Sequence, residues 1–277
     1  MSELLDLNEY KTRIADLYDR RSSTYDESQW HEQICQTLLA KADIHAGQRI
    51  LDIGTGTGHL AIAAARAIGT EGQTIGVDLS AKMLAIANQK IATLGLTNIL
   101  LYHGDGENLT FPSLRFDRIL SANTFPWIEN KAVALRLWYD LLEPDGLIGI
   151  HSPADTAYVG NVVLRTLFAR YGVELEFSNR LGTLAMCRDL FANAGFTDIA
   201  IATEQHGSYI GLDKAASAWH NLSNLLSDPT MDFSTLLPPV RLAEVEAEFR
   251  VELERRYSDR GIWNDLTTWY VIAKKSH

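Results

Sequence analysis

The chain has 277 residues, with 46% hydrophobic and 22% charged residues, which is the size and balance of one elaborated globular domain. A formal net charge of -10, with no basic stripe, argues against a nucleic-acid partner. Residues 1–30 lack a signal-peptide pattern, and no apolar run approaches the ~20 residues of a membrane span, so we expect a cytoplasmic protein. Cys35 and Cys187 have no nearby Cys/His cluster, so neither a disulfide nor a metal site is expected.

The first predicted elements are two helices between Asn8 and Ala40, where apolar residues recur at helical spacing. A short apolar strand, Arg49–Ile53, follows them and ends abruptly in glycines. Helices and strands then alternate. The predicted order is helix Leu60–Ile68, strand Thr74–Asp78, helix Ala81–Leu94, strand Ile99–His103, strand Phe116–Ser121, helix Lys131–Leu142, turn Glu143–Gly146 and strand Leu147–His151. This alternation predicts a doubly wound α/β domain with a parallel sheet covered on both faces.

The later part of the chain continues the same domain around one long interruption. Thr183–Ala194 is predicted to be a helix, and Thr197–Thr203 and Thr267–Lys274 to be strands. The stretch Leu212–Arg260 is helix-prone, is broken by prolines and is too long for a plain loop, so it is predicted to be a helical insertion. The expected organisation is an N-terminal helical lid at 1–45, a core at 46–211 and 261–277, and a substrate cap at 212–260.

A candidate ligand-binding loop begins at the end of the first strand, in Asp52-Ile53-Gly54-Thr55-Gly56-Thr57-Gly58. Open α/β sheets bind ligands at the carboxyl ends of their strands, and glycines let the backbone approach a ligand closely. A dinucleotide fingerprint would need a glycine at position 59, which is His59, and a P-loop would need Gly-Lys-Ser/Thr. The pattern therefore disfavours both a dinucleotide-binding fingerprint and a P-loop. The alternative to a ligand-binding loop is a glycine turn with a purely structural role.

The segment Leu51–Gly58 resembles motif I of the class I S-adenosylmethionine-dependent methyltransferases. His103–Glu107, Phe116–Asn123 and Leu141–Gly146 resemble later segments of that family. The resemblance implies a Rossmann-like sheet of seven strands with the last strand antiparallel. It is greatest to small-molecule enzymes such as the ubiquinone and menaquinone biosynthetic methyltransferases. It therefore implies methyl transfer from S-adenosylmethionine to a small-molecule acceptor, with S-adenosylhomocysteine as the product.

The same resemblance assigns the cofactor contacts. Asp78, at the end of the second strand, is expected to bind the ribose hydroxyls, because a carboxylate can accept two hydrogen bonds. Ser80 is predicted to cap the next helix, and Asp105 to meet the exocyclic amine of adenine. The expected cofactor-binding residues are Tyr18, Tyr25, Asp52, Gly54, Gly56, Gly58, Asp78, Leu79, Met83, Asp105, Gly106 and Asn123.

Few catalytic groups are expected, because displacement at an activated sulfonium methyl mainly needs a nucleophile that is held close and in line. His151, at the end of the fifth strand, is the candidate general base, and a structural histidine is the alternative. Asp117 begins its strand and is predicted to be structural.

Acceptor binding is predicted to use aromatic residues, each of which could instead belong to the core. The candidates are Phe125, Trp127 and Trp219, and His220 of the insertion is a further substrate residue and the second candidate for the base. Trp219, Leu222, Leu225 and Leu226 follow helical spacing, so the insertion is expected to help form the acceptor pocket, and homodimerisation is left open.

Two rival functions remain. A nicotinamide-dependent oxidoreductase is disfavoured by His59, and a non-catalytic nucleoside-binding module of the same fold would bind the cofactor without methyl transfer. Binding and turnover measurements distinguish the three functions.

Overall fold

The computed structural model describes residues 7–175, 177, 181–222 and 232–276, and the chain divides into two compact units. The first unit contains the described residues up to Ser152, Thr183–Ala202 and those from Trp269 onwards, whereas the second contains Pro153–Gly182 and Thr203–Thr268. The second unit therefore takes in more of the chain than the predicted insertion at 212–260. In the part of the chain that the structure describes, no helix has both the length and the apolar composition needed to cross a membrane.

The chain enters the first unit through the two predicted helices. Helix α1 spans Glu9–Arg21 and helix α2 spans Gln29–Lys41, and a 3-10 helix, Ser22–Glu27, connects them. The side chain of Asn8 caps α1 by accepting a hydrogen bond from the backbone N–H of Lys11. The prediction of two helices before the first strand is confirmed.

A seven-stranded mixed sheet, with the last strand antiparallel, forms the centre of the fold and confirms the Rossmann-like prediction. The strands within the described ranges are β1 (Arg49–Ile53), β2 (Gln73–Asp78), β3 (Ile99–His103), β4 (Phe116–Ala122), β5 (Leu142–Pro153), β6 (Phe196–Gln205), β7 (Ser208–Ile210), β8 (Ile262–Asn264) and β9 (Thr267–Lys275). The order in the large sheet is β3-β2-β1-β4-β5-β9-β6, and β1 to β5 pair in parallel. The strand order reverses between β1 and β4, where such sheets bind ligands.

Helices follow the strands as predicted. They are α3 (His59–Ile68) after β1, α4 (Ala81–Thr93) after β2, α5 (Lys131–Leu141) after β4, and α7 (Leu184–Asn193) before β6. Ser80 caps α4 by accepting from the N–H of Met83, which confirms that prediction. Ile34 of α2 and Leu60 of α3 are buried together with Ile50 of β1, so the core forms beside the first strand.

The predicted turn at Glu143–Gly146 is the main error within this unit. Strand β5 already begins at Leu142, which pairs with Phe116, and Leu147 then pairs with Arg118. Residues 143–146 therefore shift the register within a strand instead of preceding it, and Asp145 adopts a positive φ of 63°.

The second unit is mainly helical. It contains α6 (Val159–Arg170), α8 (Leu212–His220), α9 (Pro239–Glu254) and the antiparallel pair of β7 with β8. Helix α6 was not predicted, although Val159, Val163 and Leu167 stand at helical spacing. The helical character expected for Leu212–Arg260 appears in α8 and α9.

Candidate cofactor-binding site

The loop between β1 and α3 is built around glycines with positive φ angles. These are 71° at Gly54, 55° at Gly56 and 87° at Gly58, in a region that L side chains rarely adopt. The N–H groups of Gly54 and Thr55 donate to the carbonyl of Val77 at 2.8 and 3.0 Å, which ties the loop to β2. A Cβ on Gly56 would meet nothing within 4 Å, and this glycine lines a cavity.

The other two glycines are required by packing contacts within the protein. A Cβ on Gly54 would lie 2.0 Å from Oγ1 of Thr124, whose hydroxyl donates to the carbonyl of Gly54 at 3.3 Å. A Cβ on Gly58 would lie 3.1 Å from Cβ of Ala87 in α4. Gly58 therefore lets two helices approach each other and is not among the residues that line the cavity.

A cavity lies over this loop, wholly within the first unit, and the space among its lining residues, including the part open to solvent, is about 720 Å³. It collects all but two of the predicted cofactor-binding residues, and Asp52 and Gly58 are the exceptions. The residues that line it are Tyr10, Lys11, Ile14, Ala15, Tyr18, Tyr25, Ile53, Gly54, Gly56, Val77, Asp78, Leu79, Ser80, Met83, Gly104, Asp105, Gly106, Glu107, Asn123, Thr124, Trp127 and Ile128. We call residues 52–58 and 78–80 the floor, and residues 9–27 the cover.

Asp78 connects the two parts of the floor. One carboxylate oxygen accepts from the N–H of Gly56 and the other from the N–H of Ser80, both at 2.8 Å. Burial raises the pKa of Asp78 above its usual value, although these two N–H groups oppose the shift. Each carboxylate oxygen can accept about two hydrogen bonds, so Asp78 retains capacity for hydroxyl donors in the cavity.

Asp52 lies behind the loop and does not line the cavity. It is 1% exposed, and its carboxylate accepts from the hydroxyl of Thr55 at 2.7 Å. Burial raises the pKa of Asp52 to about 7. Its observed contact stabilises the glycine loop from inside the protein.

A charged cluster stands at the carboxyl end of β3. Lys11 of the cover lies 2.7 Å from Oδ2 of Asp105 and 3.1 Å from Oε2 of Glu107. Burial lowers the pKa of Lys11, but the two carboxylates more than offset this effect and raise it. The predicted adenine contact, Asp105, is therefore paired with a lysine that the sequence pattern does not indicate.

Aromatic rings form the inner surface of the cover. Tyr18 contacts Tyr25 with ring centroids 6.2 Å apart and Trp127 with centroids 5.9 Å apart, both edge to face. Burial raises the pKa of both Tyr18 and Tyr25, so their phenols stay neutral. The hydroxyl of Tyr10 donates to the carbonyl of Trp127 at 3.0 Å, which joins α1 to the loop after β4.

Two aspartates attach the cover to the floor. Asp26 accepts from the hydroxyl of Thr57 at 2.6 Å and lies 2.8 Å from His59 Nε2 and 2.5 Å from Lys90 Nζ. Asp19 accepts from the hydroxyl of Ser80 at 2.5 Å. His59, whose identity argued against a dinucleotide fingerprint, thus contacts the cover directly.

The predicted acceptor residues of the first unit separate into two environments. Trp127 lines the cavity, whereas Phe125 is completely buried against Trp138 and Phe191. Lys131 donates to the carbonyl of Ile128 at 2.9 Å and so stabilises the loop that carries both aromatics. Burial lowers the pKa of Lys131 to about 7.

His151 is completely buried and is not among the residues that line the cavity. Its ring centroid lies 5.8 Å from that of Trp30 and 5.0 Å from that of Tyr270. These surroundings match the structural alternative, and the role of general base stays a prediction.

Trp219 and His220 lie at the end of α8 in the second unit. Trp219 is 8% exposed and packs against Phe168 and Phe249, in the core of that unit. Leu222 belongs to the same core, whereas Leu225 and Leu226 fall outside the described residues.

The main residues that sequence reasoning missed are Tyr10, Lys11, Ile14 and Glu107, all of which line the cavity. A signal was available in α1, because Lys11, Ile14, Ala15 and Tyr18 follow the spacing of one helix face. The spacing alone does not say which surface that face covers.

The glycine loop, the carboxylates after β2 and β3 and the Rossmann-like sheet together define a nucleoside-binding fold of the methyltransferase type. Residues 50–146, which include the whole floor, match the family model described as a methyltransferase domain. The chain thus carries a methyltransferase domain, and it resembles the class I S-adenosylmethionine-dependent enzymes that act on small molecules. The predicted resemblance, with S-adenosylmethionine as the cofactor of the class, is confirmed.

Particular relatives include two curated bacterial enzymes. The chain is 30% identical over 146 residues to aklanonic acid methyltransferase of Streptomyces sp. (strain C5), covering 52% of this chain and 66% of that protein. It is 30% identical over 138 residues to demethylmenaquinone methyltransferase of Geobacillus kaustophilus (strain HTA426), covering 49% and 57%. The matched region spans less than two thirds of the length of each relative.

A solved structure shows the same fold. Phosphoethanolamine N-methyltransferase 2 of Haemonchus contortus, in complex with phosphomonomethylethanolamine and S-adenosylhomocysteine, matches with a TM-score of 0.62 and 17% identity. The match covers 99% of this chain and 62% of that chain. At this level of identity the similarity concerns the fold alone.

Proposed function

We propose that the protein transfers the methyl group of S-adenosylmethionine to a small-molecule acceptor. The main support is that one cavity is lined by the glycine loop, by Asp78 and by Asp105, which the resemblance assigns to the cofactor. All of these residues fall within the matched methyltransferase domain.

In the proposed reaction an electron pair of the acceptor attacks the methyl carbon, and the carbon–sulfur bond breaks with its electron pair remaining on sulfur. The products are the methylated acceptor and neutral S-adenosylhomocysteine, and an acceptor that carried a proton on the attacking atom releases it. The protein contributes position and exclusion of water. The rings of Tyr18, Tyr25 and Trp127 line the cavity, and their proposed role is to stabilise the sulfonium ion by cation–π contact.

The acceptor is proposed to be largely apolar. Trp127 and Ile128 present apolar surface to the cavity, and the names of the two bacterial relatives refer to aklanonic acid and demethylmenaquinone. The proposal also keeps the acceptor contacts predicted for Phe125, Trp219 and His220, the lid at 1–45 and the cap at 212–260. It further includes homodimerisation and the absence of a nucleic-acid partner.

Calorimetry and thermal unfolding test the cofactor. We expect S-adenosylmethionine and S-adenosylhomocysteine to bind and raise the melting temperature, because they bind only the native state, and NAD⁺ to have no effect. Transfer of a tritiated methyl group to a panel of phenols, quinols and amines tests the reaction. A response to NAD⁺ alone would support the oxidoreductase, and tight cofactor binding with no transfer to any acceptor would support the non-catalytic module.

A further inference from the structure

We propose that Lys11 is a positioning residue that orients the Asp105 carboxylate to accept a hydrogen bond from the exocyclic amine of adenine, and so determines the preference for adenine. The inference rests on the proposed function, because it concerns the cofactor cavity. It adds a residue of α1 that lies outside the matched domain at 50–146.

The ion pairs of Lys11 are short and largely shielded from solvent. The side chains of Lys11, Asp105 and Glu107 are only 15%, 13% and 9% exposed, and all three line the cavity. Hydrogen bonds between charged groups are shorter and stronger than neutral ones. Lys11 therefore constrains the carboxylates on the cavity wall more tightly than a surface lysine would.

The two carboxylates differ in their remaining capacity. Glu107 accepts from the N–H groups of Glu129 and Asn130 at 3.1 and 2.7 Å, in addition to Lys11. Asp105 accepts from the N–H of Glu107 on Oδ1 at 2.9 Å and from Lys11 on Oδ2 at 2.7 Å. Because each oxygen can accept about two hydrogen bonds, Asp105 is fixed at both oxygens and still has room for a donor on each.

The first turn of α1 holds Lys11 in place from both sides. Asn8 caps the N–H of Lys11 at 2.9 Å and donates through its own amide to Glu129 at 2.8 Å. Tyr10 is bonded to the carbonyl of Trp127. With the lysine charge removed, Asp105 and Glu107 would repel each other, and the Asp105 carboxylate would lose the bond that fixes Oδ2.

The test compares S-adenosylhomocysteine with S-inosylhomocysteine, in which a carbonyl acceptor replaces the amine donor of the base. Calorimetry gives the ratio of the two dissociation constants for the wild type, Lys11→Met, Lys11→Arg and Arg20→Met. We expect the preference for S-adenosylhomocysteine to fall by on the order of tenfold in Lys11→Met and to be largely retained in Lys11→Arg. Arg20 is exposed on the same helix and does not line the cavity, so Arg20→Met should leave the ratio unchanged.

The ratio of the two dissociation constants shows whether Lys11 positions the Asp105 carboxylate or only attaches α1 to the rest of the protein. Equal weakening of both ligands in Lys11→Met would overturn the inference, because Lys11 would then only hold the cover. Lys11→Gln, measured in parallel, provides the same ratio should Lys11→Met fail to fold. If the wild type binds neither ligand, the proposed function itself is overturned. If the wild type prefers S-adenosylhomocysteine but the ratio is unchanged in Lys11→Met and Lys11→Gln, only this inference is overturned.

Discussion

The floor and the cover face the same cavity but are held by different kinds of bond. In the floor, the Asp78 carboxylate accepts from backbone N–H groups, those of Gly56 and Ser80. In the cover, the charged attachments run between side chains that are distant in sequence, as in the pairs of Lys11 with Asp105 and of Asp26 with Lys90.

The difference has an energetic consequence. A backbone donor in a loop of fixed φ angles does not depend on a rotamer, so the floor is pre-organised for its ligand. Partly exposed ion pairs, such as those of Asp26 with His59 and Lys90, contribute only ~0–1 kcal/mol each, since water competes for both partners. We therefore expect the floor to be the rigid wall of the cavity and the cover to be the wall that opens for cofactor exchange.

The largest expected effect comes from filling the floor. Gly56→Val should abolish S-adenosylhomocysteine binding in calorimetry, because the side chain would project into the space over the loop. Gly95→Val is the matched control, since Gly95 also has a positive φ, 64°, and open space around its Cβ but does not line the cavity. The circular dichroism of both variants should stay native. Normal binding by Gly56→Val would mean that the loop is not the binding surface.

The next effect comes from removing the carboxylate of the floor. Asp78→Ala should weaken S-adenosylmethionine binding by ~1.5–3 kcal/mol, the range for hydrogen bonds to a charged group. Asp117→Ala is the control, because the Asp117 carboxylate also accepts a backbone N–H, from Arg49 at 2.7 Å, but lies away from the cavity. Unchanged affinity in Asp78→Ala would exclude this residue from the site.

The smallest effect is expected in the cover. Asp26→Asn should raise the dissociation rate of S-adenosylhomocysteine in stopped-flow measurements by roughly threefold, because the pairs it weakens are partly exposed. Asp16→Asn, on the exposed side of α1, should behave as the wild type. An effect as large as that of Asp78→Ala would remove the contrast between the two walls.

At low pH, the Asp26 carboxylate should no longer contribute to the free energy of unfolding. Burial raises the pKa of Asp26, but bonds from Lys90, Thr57 and His59 more than offset this effect, so the pKa lies below its usual value. The folded state then binds fewer protons, and its stabilisation is present above the unfolded pKa of about 4 and is lost as the pH falls through the folded pKa. The free energies of unfolding of wild type and Asp26→Asn should therefore converge below about pH 4, and a constant difference would contradict this assignment.

Sequence reasoning succeeded where structure is encoded locally. The glycine loop, Ser80 as a helix cap and the strands β1 to β3 follow from residues that are neighbours in the chain. Most of the predicted cofactor residues lie together around the cavity, although their roles stay predictions. Helix α6 carried a readable pattern that was overlooked, with Val163 and Leu167 at helical spacing.

The cover could not be derived in the same way, because its partners are determined by tertiary packing. Lys11 meets Asp105 from 94 positions away, and nothing in the spacing of either residue indicates the other. In the sequence, His59 is informative only because it stands where a dinucleotide fingerprint has glycine, whereas its contact with Asp26 depends on how the 3-10 helix lies against α3. For His151 the strand end was predicted, but its burial between Trp30 and Tyr270 depends on side chains from distant segments.

Because Gly54 and Thr124 approach each other closely, the residue at one of these positions restricts which residues fit at the other. Even the smallest side chain at position 54 would occupy the space of the Thr124 hydroxyl, and a bulkier residue at 124 would press on the Gly54 backbone. A side chain at position 54 therefore requires a smaller or displaced residue at position 124. A laboratory library that varies the loop after β4 to alter acceptor choice would therefore keep its functional members only where position 124 remains small.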